Sequence, residues 1–495
     1  MGQTLAMRAM KGDRGAIGWI GAAVLVWSAP FPVVAQVIPD TTLPSDSVVN
    51  VDGATFVIDG GTAANGNLFH SFEEFSVPTG GAALFNNAVG IENIFSRVTG
   101  SSISEIDGVL GANGTANLFF LNPNGIVFGP NARLELGGSF VASTADSVVF
   151  DNGFEFSASN PQVESLLAVD MPMGLQFRDN PGDIVVRGEG TNFPPTVEGE
   201  TPEQTIDLII QSQTEFLNNS VGLRVETGET LALVGGHIDL DGGILKTPSG
   251  RIELGSVGSG EEVAIESLNR GWQLDYTGVA SFRDLSLSQE AGVTASGEGG
   301  GEIRIRGGSV TLSGNTLIVA DTLGTGDGSG IDLTVGQLSV REGSRITAGT
   351  VREGNAGDVS ILASTVEVLD GAQLSTFTLG RGDGGTVTVE ATDTILFSGT
   401  NLDGFSSSSG AFSRVEPGGE GNAGGLSIVA NSVEVLNGAQ LSSSTNGMGD
   451  GGTVRVEATD TILFSGTNPD GFPSGAFSRV NSGGGRECGW SQHRC

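Results

Sequence analysis

Three histidines, His70, His237 and His493, are all that this 495-residue chain offers for imidazole chemistry, and none stands in a metal-ligand or nucleophile spacing. Carboxylates are abundant, 57 against 23 lysines and arginines. A row of them beside a basic residue on one face could cleave polysaccharide. No pair is singled out by its spacing, so the chain does not read as an enzyme, and a secreted enzyme acting on polysaccharide is the alternative reading. Arg381-Gly382-Asp383 is the tripeptide many integrins bind, yet Met448-Gly449-Asp450 occupies the equivalent place 67 residues on. The glycine and aspartate therefore read as a turn, and the arginine as its variable member. The turns Gly326-Asp327-Gly328, Gly382-Asp383-Gly384 and Gly449-Asp450-Gly451 resemble calcium-binding nonapeptides. Calcium wants about six or more oxygens converging on one point. Aspartates that return once per repeat, not every few residues, do not supply them, so turn aspartate is the default and neither metal nor cofactor is expected.

The elements that would position any such group are short strands on a fixed metre. Pairs of apolar residues two apart recur at Ile303/Ile305, Ile331/Leu333, Val359/Ile361, Val387/Val389, Leu426/Ile428 and Val454/Val456, at intervals of 28, 28, 28, 39 and 28 residues. Val366 to Ser375 returns almost unchanged at Val433 to Ser442. Within one unit three strands are expected, for example Glu302 to Arg306, Val310 to Leu312 and Leu317 to Ala320, separated by Gly, Ser, Asp and Asn turns. Turns this short leave no room for crossover helices, so equivalent strands must stack in parallel as the chain coils. The fold class is all-β, a parallel β-helix. At about 25 residues per coil, about 450 residues give roughly 18 coils. The stretch Pro194 to Thr205, with Glu198, Glu200 and Glu203 among prolines, reads as an acidic excursion from the coils.

Residues 1–35 read as an export signal: Arg8, Lys11 and Arg14 form the basic region, Ala16 to Val26 the apolar core, and Val33-Val34-Ala35 a cleavage site before Gln36. The apolar core is short for a membrane anchor and is followed by Pro30 and Pro32. The formal charge is −34, and the leader takes a net +2 with it, leaving near −36. Such a surface repels phosphate polymers, so no nucleic acid is expected as a partner. Both cysteines, Cys488 and Cys495, lie at the extreme end and none occurs in the body of the chain, which suits passage through an oxidising compartment without cross-linking. They read as incidental or as a terminal pair closing a small loop.

The most specific signal lies upstream. Asn67-Leu68-Phe69-His70-Ser71-Phe72, Phe75-Ser76-Val77, Ile94-Phe95-Ser96-Arg97-Val98-Thr99-Gly100 and Ile106-Asp107-Gly108 lead in order to the turn Asn122-Pro123-Asn124-Gly125-Ile126. Proline presets φ at the second turn position and glycine closes the fourth, so a tight reversal between Leu118–Leu121 and Ile126–Phe128 is expected. This series resembles the secretion domain of the filamentous haemagglutinin family, the exoproteins of two-partner secretion. It is closest over residues 38–150 and continues through Leu231 to Gly236 and Gly250 to Gly255. Many members carry a further turn, Asn-Pro-Asn-Leu, for which Asn86-Asn87-Ala88-Val89-Gly90 is the nearest counterpart here.

The resemblance implies a right-handed helix with an N-terminal cap, built from residues such as Val49 to Val57. It implies a secreted or surface-bound product that crosses the periplasm and outer membrane through a dedicated two-partner secretion transporter with POTRA modules. Asn67, Leu68, Phe69, Phe72, Asn122, Pro123, Asn124, Gly125 and Ile126 are the residues expected to be recognised by that transporter. The chain then divides into signal peptide (1–35), secretion domain (36–270), β-helix repeats (271–482) and an irregular tail (483–495). Its expected role is cell adhesion or surface display, with a target the sequence does not name.

Overall fold

A computed structural model describes residues 36–162, 171–191, 201–401 and 408–481, whose regular structure is strand apart from one helix. The stretch 1–35 read as a signal peptide, with Ala35, the prolines and acids of 194–200, and both cysteines lie outside the described residues. One long parallel ladder runs through Asn67–Phe75, Asn93–Val98, Asn117–Leu121, Phe140–Ser143, Thr230–Gly235, Arg251–Ser256 and Glu302–Leu312. It continues through Gly330–Val340, Asp358–Leu369, Val387–Ser398, Leu426–Leu436 and Val454–Ser465. A second face stacks Ser104–Ile106, Ile126–Phe128, Ile184–Arg187, Ile238–Asp241 and Leu285–Ser288 in parallel. A third stacks Leu223–Arg224 through Gly475–Val480. The chain is a parallel β-helix.

The metre of the sequence is the register of the ladder. Ile303 pairs with Ile331, Ile331 with Val359, Val359 with Val387, Val387 with Leu426 and Leu426 with Val454. Because side chains alternate along a strand, these residues and those two further on stack into one apolar column, buried through Leu426 and Ile428 and half-buried at Val454 and Val456. The 39-residue interval is absorbed outside the stacked strands, chiefly between Val387–Ser398 and Gly410–Val415, where an antiparallel bridge joins Thr400 to Ser408.

Three expectations change. The first two strands of a unit are continuous, as in Glu302–Leu312, because the bend at Gly307-Gly308 turns the chain without ending the pairing. Among the described residues the long ladder has twelve rungs, not about 18, since 91 residues separate Phe140 from its partner Leu231. Much of that detour forms a covering layer, an antiparallel sheet of Ser147–Phe150, Glu155–Ser157 and Pro172–Gln176, extended by Glu262–Ser267 and Trp272–Asp275. The detour also contains a helix, Pro202–Asn218, which begins within the Pro194 to Thr205 stretch read as an acidic excursion and continues where no helix was expected. Its start is a capping box: the Gln204 N–H donates to Thr201 Oγ1 at 3.2 Å and the Thr201 N–H to Gln204 Oε1 at 3.1 Å. Ile206, Ile209, Ile210 and Leu217 give it one apolar face, which packs with Leu323, Val351 and Phe377.

At the N-terminal end Val37–Pro39 pairs antiparallel with Asn67–Phe75, and the hairpin Ser47–Asp52/Thr55–Gly60 lies antiparallel on itself. Thr55–Gly60 then begins a parallel stack with Ala82–Phe85. Antiparallel pairing cannot continue the coil, so it ends the stack and protects its edge.

Candidate functional site

The first motif occupies the opening rungs of the long ladder. Leu68, Ile94 and Leu118 stack in register into the coil interior, while Phe69, Phe95 and Phe119 stack one residue along and point the other way. Their rings lie 5.3 and 4.8 Å apart, within 23° of parallel. This outward column is also buried, beneath the antiparallel sheet, with Trp272 edge-on to Phe119 at 5.3 Å. Double burial explains why Leu118-Phe119-Phe120-Leu121 is apolar without alternation. Asn67 starts an amide ladder: Asn93 Nδ2 donates to Asn67 Oδ1, Asn117 Nδ2 to Asn93 Oδ1, and the Ser139 N–H to Asn117 Oδ1, all within 2.9 Å. Phe72 packs edge-on to Phe75 at 5.0 Å, and Phe75 onto Phe120 at 4.9 Å.

Arg97, quoted in the motif but given no role from sequence, is the largest fully buried side chain among the described residues. Its Nε donates to Ser71 Oγ, Nη1 to the Ser157 carbonyl and Nη2 to Thr42 Oγ1, at 2.8–2.9 Å, while the guanidinium lies 4.3 Å above the Phe156 ring. It thereby ties the N-terminal segment, the ladder and the covering sheet together. Burial pushes its pKa down to about 10, with Asp40 opposing. Asp40 is itself pushed up by burial, but the hydroxyls of Thr99, Thr42 and Ser71 hold it below the ordinary carboxylate value.

His70 is buried beside Phe72 and Phe85 with its Nδ1 3.0 Å from Ser47 Oγ, and its Nε2 has no hydrogen-bond partner. Burial pushes its pKa from 6.5 down to about 4, against the pull of Asp59. Because the folded value lies below the unfolded one, the contribution is intact above about pH 6.5 and is lost as pH falls towards 4. The loss is roughly 3 kcal/mol if the whole shift is realised. In the mature chain, the protection factors of amides in the first rungs, taken relative to intrinsic exchange at each pH, are expected to fall between pH 6.5 and 4, and His70→Gln should flatten that difference; an unchanged slope would remove His70 as its source.

The Asn-Pro-Asn-Gly-Ile segment is a corner, not the expected reversal. Asn117–Leu121 and Ile126–Phe128 do not pair with each other; each continues its own parallel stack. The Gly125 N–H still closes the turn onto the Asn122 carbonyl at 3.1 Å. Asn122 is buried and holds the corner: its Nδ2 donates to the Ser102 carbonyl at 3.0 Å and Ser104 Oγ at 2.9 Å, and its Oδ1 accepts from Asn124 N–H at 3.0 Å. Exposed Asn124 reaches the Gly100 carbonyl at 2.8 Å, and the Pro123 carbonyl accepts from the Gly182 N–H at 2.9 Å. Gly125 has φ 130°, a backbone that favours glycine. The counterpart Asn86-Asn87 also stitches coils, with Asn87 Oδ1 accepting from the Asn113 N–H at 2.8 Å.

Asp383 of the Arg-Gly-Asp tripeptide belongs to an uninterrupted ladder. Asp327, Asn355, Asp383 and Asn422 each accept, through a side-chain oxygen, the backbone N–H of the next member in the following coil, ending at Asp450, at 2.8–3.0 Å. Acid and amide alternate, which keeps like charges from facing each other on adjacent rungs. Arg381 pairs with Glu420 at 3.1 Å. Among the carboxylates, Glu253 stands out: burial pushes it up to about 7 against Arg304 and Arg251. It lies fully buried beneath the covering sheet, with Arg304 at 3.2 Å, a position closed to a substrate.

Set beside known proteins, residues 35–305 match the family model described as the TPS secretion domain. No curated protein matches the chain. Among solved structures, the HMW1 secretion domain from Haemophilus influenzae is 18% identical, with 90% of this chain and 98% of that one covered at a TM-score of 0.48. A filamentous hemagglutinin secretion domain is 12% identical, with coverage of 86% and 99% and a TM-score of 0.31.

Proposed function

Because the chain belongs to the TPS secretion domain family of two-partner exoproteins, we propose that its transporter reads the first motif and the Asn-Pro-Asn-Gly-Ile corner before they fold, and that the folded product is an adhesin or surface-display stalk. Members of this family are exported across the outer membrane by a partner transporter and are secreted or surface-associated. Burial carries the rest of the reading. Asn67 is 1% exposed, Leu68 7%, and Phe69, Phe72, Asn122 and Ile126 0% in the folded chain.

A transporter cannot touch those side chains once the coils close over them. It meets them as extended segments, which add as strands to exposed sheet edges in its periplasmic POTRA modules. Coiling outside the cell then withdraws the same residues into the core, so recognition and folding compete for one set of side chains. Burial of apolar surface and ladder formation bias movement outward without nucleotide hydrolysis. Residues 36–270 supply recognition and the first coils, and 271–482 supply length.

The test is to present the transporter's periplasmic region with the mature chain, either freshly diluted from urea or fully refolded. Capture of the unfolded chain and not of the refolded one is expected. Equal capture of both would overturn the reading.

A further inference from the structure

One part of this acidic molecule has its charge reversed. The strands Arg345–Thr350, Gln373–Thr378, Gly410–Val415, Gln440–Thr445 and Gly475–Val480 stack in parallel on one face and contain no aspartate or glutamate. In a chain with 57 acids and 23 basic residues, that face instead carries Arg345, Arg414 and Arg479 on alternate rungs. Ile346, Ala348, Leu374, Ala411 and Leu441 point into the core, so the positions between them, the arginines and Gln373, Ser375, Gln440 and Ser442 among them, face outward.

Two of the arginines sit on identical mounts. The hexapeptide Gly-Ala-Phe-Ser-Arg-Val occurs at 410–415 and at 475–480. The Arg414 guanidinium lies 4.0 Å above the Phe412 ring, and that of Arg479 lies 4.2 Å above Phe477. The glycine leaves room for the ring: a Cβ at Gly475 would meet Phe477 Cζ at 2.6 Å, and one at Gly410 would meet the Gln440 backbone first and Phe412 Cζ at 3.1 Å. Each ring therefore lies flat on the strand and holds a guanidinium in a fixed plane. Arg414 makes no ion pair among the described residues, although Glu416 lies near enough to oppose the downward push of burial and of Arg345 on its pKa.

Gly410 pairs with Gln440 and Gln440 with Gly475, which puts the two mounts two rungs apart, about 10 Å at the usual strand spacing. The rung between them offers serine hydroxyls and the Gln440 amide. A planar guanidinium takes a carboxylate in a two-point hydrogen bond. The rest of the molecule, strongly negative, repels a ligand charged at every unit.

We propose that this face binds a linear glycan in which carboxylate-bearing sugars alternate with neutral ones, Arg414 and Arg479 each taking one carboxylate and the intervening serines and Gln440 the neutral sugar. The proposal rests on the adhesin reading above and gives it a ligand class.

The probe is a hyaluronan oligosaccharide titrated into the mature chain by calorimetry, with a neutral N-acetylglucosamine oligomer and anionic phospholipid vesicles as comparisons. Binding to the first alone is expected, weakened about tenfold by Arg414→Gln or Arg479→Gln. Arg479→Gln lies in the last rung and guards against a folding artefact at Arg414, and melting curves check both. Equal binding of the neutral oligomer, binding of vesicles only, or undiminished binding by a folded double variant would overturn the assignment. Host-cell adhesion that survives the double variant would leave the adhesin reading standing and remove this face from it. Absence of both adhesion and glycan binding in the unaltered chain would remove both.

Discussion

Arg97→Ala is expected to unfold the opening rungs of the helix, at a cost of at least about 3 kcal/mol. The substitution removes the side-chain hydrogen bonds to Ser71, Ser157 and Thr42 and the stack on Phe156. It also leaves the Ser157 carbonyl without its donor and the half-buried Asp40 carboxylate without the cation that offsets it. Arg97→Lys should rescue little, because an ammonium cannot span three directions in one plane. In a solenoid each rung is stabilised by its neighbours, so the damage should stay local. Hydrogen exchange of the mature chain is the measurement: amides of 67–121 should lose protection while those of 330–436 keep theirs. Uniform protection across both regions would show that Arg97 is not the tie the geometry makes it.

The repeats were legible because only one quantity had to be read. Inward residues two apart at Ile303/Ile305 and Ile331/Leu333 fix both the strand and its stacking partner, and the pairing of Ile303 with Ile331 follows from the 28-residue interval alone. Outward faces were harder, since periodicity says that Phe69, Phe95 and Phe119 point away from the coil but not that a second sheet covers them. The unbroken apolar run at 118–121 carried that information, because a strand with one wet face alternates. The helix was signalled by Thr201 and Gln204 with Ile206, Ile209 and Ile210 at helical spacing, and the prolines just upstream drew attention from it. The corner at Asn122 shows a third limit. Turn chemistry fixes where a chain changes direction, whereas the next strand's partner depends on coils distant in sequence, here the pairing of Ile126 with Ser104 and Ile184.

Export separates recognition from stability. If the corner is read while unfolded, Asn122→Ala should lower secreted protein by more than about tenfold in cells that co-express the transporter, with the chain accumulating in the periplasm. Asn122 also serves the folded state through Ser102, Ser104 and Asn124, so a drop in secretion alone has two explanations. Arg97→Ala resolves them. It sits in the same domain and costs the folded state at least as much, yet it adds nothing to the corner that the transporter meets. The Arg97 variant should therefore engage the transporter and reach the surface in a protease-sensitive form, whereas the Asn122 variant should never leave the periplasm although it refolds in vitro. Should the two variants stall at the same stage, folding outside the cell and not recognition inside it would be the step that Asn122 governs, and the proposed reading of the corner would fall.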